Sequence, residues 1–141
     1  MPAARNPDPI PLVYSCSGCS SAAQFANDLA LRLDREGVAQ MSCIAGVGGN
    51  VPSLVRRAQE AAASGRSILA IDGCVLACAR ACLAQRDVHP TEHLLLSEEG
   101  VRKQYHADFD PDQFDRLYAQ VKMRVLAMSA VIPPVVVATS Q

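Results

Sequence analysis

Hydrophobic positions in this chain follow two rhythms in turn. Short unbroken apolar runs give way to stretches in which apolar residues return every third or fourth position. Such runs, bounded by turn residues, read as strands buried on both faces, and the longer period reads as amphipathic helix. The first run, Leu12 to Ser15, is a strand closing at Cys16. A CSGC turn follows, Cys16 to Cys19, with Ser20 or Ser21 as the N-cap of a helix over Ala22 to Glu36. Its stripe is Phe25, Leu29 and Leu33, flanked by Ala22, Ala26 and Ala30, and Gly37 ends it. Val38 to Cys43 is the second strand, and GVGGN, Gly46 to Asn50, is a glycine loop. Pro52 opens a second helix, Ser53 to Ser64, closed by Gly65. Ile68 to Ile71 is the third strand, and a helix is expected beyond Asp72 and Gly73. After the break at His89 and Pro90, His93 to Ser97 is a fourth strand. Glu98 to Asp110 is polar, with Val101, Tyr105 and Phe109 spaced by four, and reads as a loop with a short strand. Asp110 and Pro111 then cap and start a final helix whose stripe is Phe114, Leu117, Tyr118, Val121, Val125 and Met128.

Regular alternation of strand and helix implies an α/β class domain: a single three-layer unit with about four parallel strands and helices on both faces. The expected strand order is 2-1-3-4, as in a Rossmann-like or flavodoxin-like half, with the site where the strands' carboxyl ends meet a reversal of winding. The domain is expected over residues 12–130. Residues 1–11, which hold four prolines, read as a flexible lead-in, and residues 131–141 as an apolar tail.

Composition narrows the function. The chain has 141 residues, half of them hydrophobic, and a formal net charge of −1, which argues against nucleic acid as a partner. Three Phe, three Tyr and no Trp give no platform for stacking bases. No apolar stretch approaches the roughly 20 residues of a membrane span, and the N-terminus lacks the apolar core of a signal peptide. These features read as a cytoplasmic protein with no membrane partner. In that reducing compartment six cysteines are metal ligands or reactive thiols rather than a disulfide framework.

Their positions carry the candidate chemistry. Cys16, Cys43 and Cys74 fall at the ends of the first three strands, and strand spacing of about 4.8 Å lets such sulfurs share one metal. On the helix beyond Gly73, Cys74 and Cys78 are about 6 Å apart along the axis and point nearly the same way, so both can bond one metal ion. Cys82 is about 12 Å from Cys74 and has drifted off that face, which makes it a core residue rather than a ligand. Cys19 adds a fifth candidate. Zinc takes four sulfurs at about 2.3 Å, so either Cys16, Cys19, Cys74 and Cys78 form the set, or Cys43 replaces Cys19. Copper(I) or an iron–sulfur cluster suits the same soft ligands. Asp72 reads as a cap or hydrogen-bond acceptor. His89 and His93 are expected away from the cysteines; His106, in an unplaced loop, reads as a surface histidine, with reach to the metal as the alternative.

The segments YSCSG (Tyr14 to Gly18), CIAGVGG (Cys43 to Gly49) and DGCVLAC (Asp72 to Cys78) resemble the motifs of the DGC-domain family, whose members are described as zinc-binding. The resemblance spans roughly Val13 to His106. It implies a small α/β domain whose four characteristic cysteines correspond to Cys16, Cys43, Cys74 and Cys78. Two functions follow as expectations. The first is a non-catalytic protein that binds, senses or buffers a metal ion, its protein partner not indicated. The second is a thiol- or sulfur-transfer enzyme or disulfide oxidoreductase with Cys16 attacking and Cys19 resolving. Other sequence signals lead nowhere: GVGGN lacks full GxGxxG spacing, and no Walker lysine is present.

Overall fold

The computed structural model describes residues 10–130. The tail at 131–141 and all but the last two residues of the lead-in therefore lie outside the described residues. Among the described residues four strands, β1 (Leu12–Ser15), β2 (Gln40–Met41), β3 (Ile68–Asp72) and β4 (Glu92–Leu95), form one sheet in the order β2-β1-β3-β4. Every pairing is parallel: Leu12 lies opposite both Gln40 and Ile68, and Leu69 opposite Glu92. The expected class and strand order are thus the observed ones. Among the described residues five helices complete the fold: α1 (Ser21–Arg35), α2 (Ile44–Gly48), α3 (Pro52–Ser64), α4 (Cys78–Gln85) and α5 (Pro111–Ala130).

Side chains alternate across the pleat, so each strand feeds two cores. Val13, Leu69, Ile71 and Leu94 pack with Phe25, Leu29 and Leu33 of α1 and with the α5 stripe. Leu12, Tyr14, Ile68 and Ala70 face the other way, against Val47 of α2, Ala58 and Ala61 of α3, and Leu83 of α4. Three elements differ from the sequence reading. β2 covers only Gln40 and Met41 rather than Val38 to Cys43. The glycine loop is mostly helix: Cys43 precedes α2, whose Gly48 lets the Cys82 sulfur close in to 2.9 Å from where a Cβ would stand. No strand forms between Glu98 and Asp110. A 3-10 turn, Leu96–Glu99, ends in left-handed Gly100, and the chain then runs without regular structure to α5.

Among the described residues, no helix is long and apolar enough to cross a membrane.

Candidate functional site

The carboxyl ends of β1 and β3 are where the chain turns toward α1 and α4. Ser20 caps α1, its hydroxyl accepting from Ala23 N–H at 3.1 Å. The backbone of Cys16 prolongs the ladder by donating to Ile71 O at 3.0 Å. Gly73 then comes so close to α1 that an added Cβ would meet the Ala22 backbone at 2.6 Å. This closeness lets Gly73 N–H donate to Cys16 Sγ at 3.2 Å.

The start of α4 is built unusually. The helix begins at Cys78, and the residue before it, Ala77, is left-handed (φ 50°, ψ 50°) with no side-chain cap of its own. The cap comes from Asp72, six residues before the helix begins and almost wholly buried. Its Oδ1 accepts from Ala79 N–H at 2.7 Å and its Oδ2 from Arg80 N–H at 3.1 Å. His93 of β4 adds a third bond, Nε2 to Asp72 Oδ2 at 2.8 Å. Arg80 Nη1 lies 3.3 Å from His93 Nδ1, and a guanidinium can only donate. His93 Nδ1 therefore accepts, and Nε2 carries the proton donated to Asp72. The capping role expected of Asp72 is observed, whereas His93, expected to be remote, supports the segment that bears the cysteines.

Between these turns lies a hollow of about 170 Å³ whose walls include Cys16, Cys19, Cys74 and Cys78, with Leu76 at its lip. Lys103 and Tyr105 enter from the irregular segment before α5. Lys103 Nζ donates to Cys74 Sγ at 3.5 Å and stands 5.2 Å from the Tyr105 ring centre. Tyr105 first, and then Cys74, hold the Lys103 ammonium above its ordinary range. Cys16 is half-buried, and burial pushes its thiol up to about 11; the Gly73 N–H only partly offsets this, and the Asp72 carboxylate adds to it. Burial also pushes the Cys82 thiol up. Cys43 is exposed beside α2 and is not part of the hollow's wall.

This geometry overturns the metal reading. Four of the five proposed sulfurs share a hollow, yet among the described residues no three His, Cys, Asp or Glu groups come together as a metal site. The expected zinc, copper(I) or iron–sulfur centre on Cys16, Cys19, Cys43, Cys74 and Cys78 is withdrawn, and with it the metal ion as partner. The physical reason begins at Ala77. Cys74 and Cys78 do not share a helix, because the left-handed residue between them breaks the periodicity that would align them. Cys43 is held outside by α2, and the Cys16 sulfur accepts a backbone hydrogen bond. The oxidoreductase alternative fails too. No close pairing of cysteines occurs among the described residues, and burial pushes the thiol of Cys16, cast as the nucleophile, up to about 11.

Lys103 and Tyr105 were not legible as site residues. The one signal available was Lys103 itself, a cation in a polar stretch that reads as a loop, and that is too common to single out.

The DGC-domain profile matches residues 12–121, and the chain belongs to the DGC-domain family. It is similar to the anaerobic and virulence modulator AnvM of Pseudomonas aeruginosa, with 59% identity over 119 residues, covering 84% of this chain and 88% of that protein. No solved structure matches.

Proposed function

We propose that this chain is a non-catalytic regulatory protein of the cytoplasm that responds to oxidants through the single thiol of Cys74. The contact between the Lys103 ammonium and Cys74 Sγ, made inside a small hollow, carries the reading. A thiolate is the nucleophilic form of cysteine, and an adjacent ammonium compensates negative charge on sulfur. None of the other cysteines is hydrogen-bonded to a cation within the described residues. The likeness to a protein named as an anaerobic modulator supports a role tied to the presence or absence of oxidising conditions.

The step is stoichiometric. The Cys74 thiolate attacks one oxygen of a peroxide; the S–O bond forms as the O–O bond breaks, and hydroxide or alkoxide leaves. Sulfur is oxidised by two electrons to the sulfenic acid, the peroxide is reduced, and cellular thiols restore the starting state. Val75 and Leu76, 77% and 67% exposed, follow directly on Cys74 and are the apolar surface through which a partner would sense the change.

The test is site-resolved trapping. Reduced protein is treated with one equivalent of hydrogen peroxide and a sulfenic-acid-specific dione, then mapped by mass spectrometry. Adduct should concentrate on Cys74, and Lys103→Met should lower it severalfold. Adduct spread over Cys19, Cys43 and Cys78 according to exposure, or a Lys103→Met protein that reacts like the parent, overturns the reading.

A further inference from the structure

The segment that carries Lys103 has a second face. Lys103 and Tyr105 line the thiol hollow, while Arg102 and Gln104 line a separate hollow of about 300 Å³ on the other side. Ser21 at the start of α1 fixes this alternation. Its N–H donates to Gln104 O at 2.8 Å, its hydroxyl donates to Arg102 O at 3.3 Å, and Gln104 N–H donates back to that hydroxyl at 2.9 Å. The second hollow is completed by Asp110, Gln113 and Arg116, with the ring of Phe109 as an apolar wall.

Its charges are unbalanced. Arg32 pairs with Glu36 and Asp115, Arg35 with Asp34 and Arg124 with Glu92, while Arg86 is held by the Val47 and Gly48 carbonyls. Among the described residues Arg102 and Arg116 have no such partner, although Asp110 lines the same hollow. The Asp110 Oδ1 accepts instead from Asp112 N–H at 2.9 Å. Gln113 Nε2 donates to Gly100 O at 3.0 Å, so the amide is anchored at the rim with its oxygen still available. Two guanidinium groups set against one carboxylate, with an aromatic wall, is the chemistry that receives an oxyanion on a small organic body.

We infer that this second hollow binds a small molecule bearing a carboxylate or phosphate group, held by Arg102 and Arg116, with its carbon skeleton against Phe109. The site is independent of the cysteine chemistry proposed above. A bound anion would nevertheless act on the segment whose opposite face presents Lys103.

Titration calorimetry of the full chain at low ionic strength tests this, with inorganic phosphate in one arm and succinate in the other, and equal ionic strength of sodium chloride as the control. At least one arm should show saturable one-site binding, and the stronger arm identifies the anion class. Arg102→Gln and Arg116→Gln should each weaken it tenfold or more, while Arg35→Gln leaves it unchanged. Backbone amide NMR of the unaltered protein should place the largest shifts at Arg102, Gln104 and Gln113, so the answer does not rest on how the variants fold. The inference falls if neither anion saturates, if the arginine variants bind as the parent does, or if the shifts lie elsewhere.

Discussion

Gly73 has no side chain because there is no room for one. A Cβ there would meet the backbone of Ala22 at 2.6 Å and the Ala22 methyl at 3.0 Å, and neither is the flexible end of a side chain. Gly73→Ala should therefore cost about 1–3 kcal/mol, the range for forcing extra volume into a packed site. It should also lengthen the hydrogen bond from Gly73 N–H to Cys16 Sγ. Urea denaturation checks the first effect. A later onset of Cys16 thiolate absorbance on alkaline titration checks the second, since the Gly73 N–H that favours the thiolate would be drawn away. A Gly73→Ala protein as stable as the parent would show that α1 can move away freely. Ala77 is the converse case: an L-residue held left-handed, at roughly 1–2 kcal/mol. The three bonds converging on Asp72 hold the start of α4 in place against that cost.

At the scale of elements, α1 and α5 are joined by more than their shared core. Glu36, just past the end of α1, accepts from Lys122 Nζ at 2.9 Å and Tyr118 Oη at 2.8 Å, and pairs with Arg32 at 3.3 Å. Lys122 foremost, then Tyr118 and Arg32, lower its carboxyl from an ordinary 4.5 to about 2. A carboxyl depressed by folding stabilises the fold above its unfolded value and ceases to do so as pH falls toward its folded value. Glu36→Gln should thus melt below the parent at pH 6, and the gap should close between pH 4.5 and 2. A gap that does not vary with pH would mean the carboxylate contributes nothing specific. The effect should be modest, because Glu36, Lys122 and Arg32 are partly open to solvent.

The elements legible in the sequence are those set by local pattern. The apolar runs at Leu12 and Ile68 became β1 and β3, and the 3.6-residue stripe after Pro111 became α5, buried at all six expected positions. What could not be read depends on contacts between distant parts of the chain. A helical composition after Gly73 suggested that Cys74 and Cys78 share a face. The actual start of α4 is decided by a carboxylate six residues upstream and a histidine on another strand. Lys103 reaches Cys74 on a segment that Ser21, more than 80 residues earlier, pins through the neighbours on either side.

For the molecule as a whole, Phe109 is the joint between the core and the irregular segment. Its ring lies 5.0 Å from that of Phe25 in α1 and 5.3 Å from that of Phe114 in α5. Phe109→Ala should cost about 3 kcal/mol, the low end for phenylalanine because the ring is only partly buried. It should also broaden the NMR signals of residues 101–105, disturbing both hollows at once. Sharp, unshifted signals there would show that Ser21 alone holds the segment.

The sheet's two rims carry a further consequence. One rim is β2, two residues long; the other is β4, whose Glu92 and His93 side chains are engaged by Arg124 and Asp72. A stray extended peptide finds almost no ladder to zip onto at β2 and a strand of only four residues at β4. Lateral growth into fibrils is thereby starved of a template.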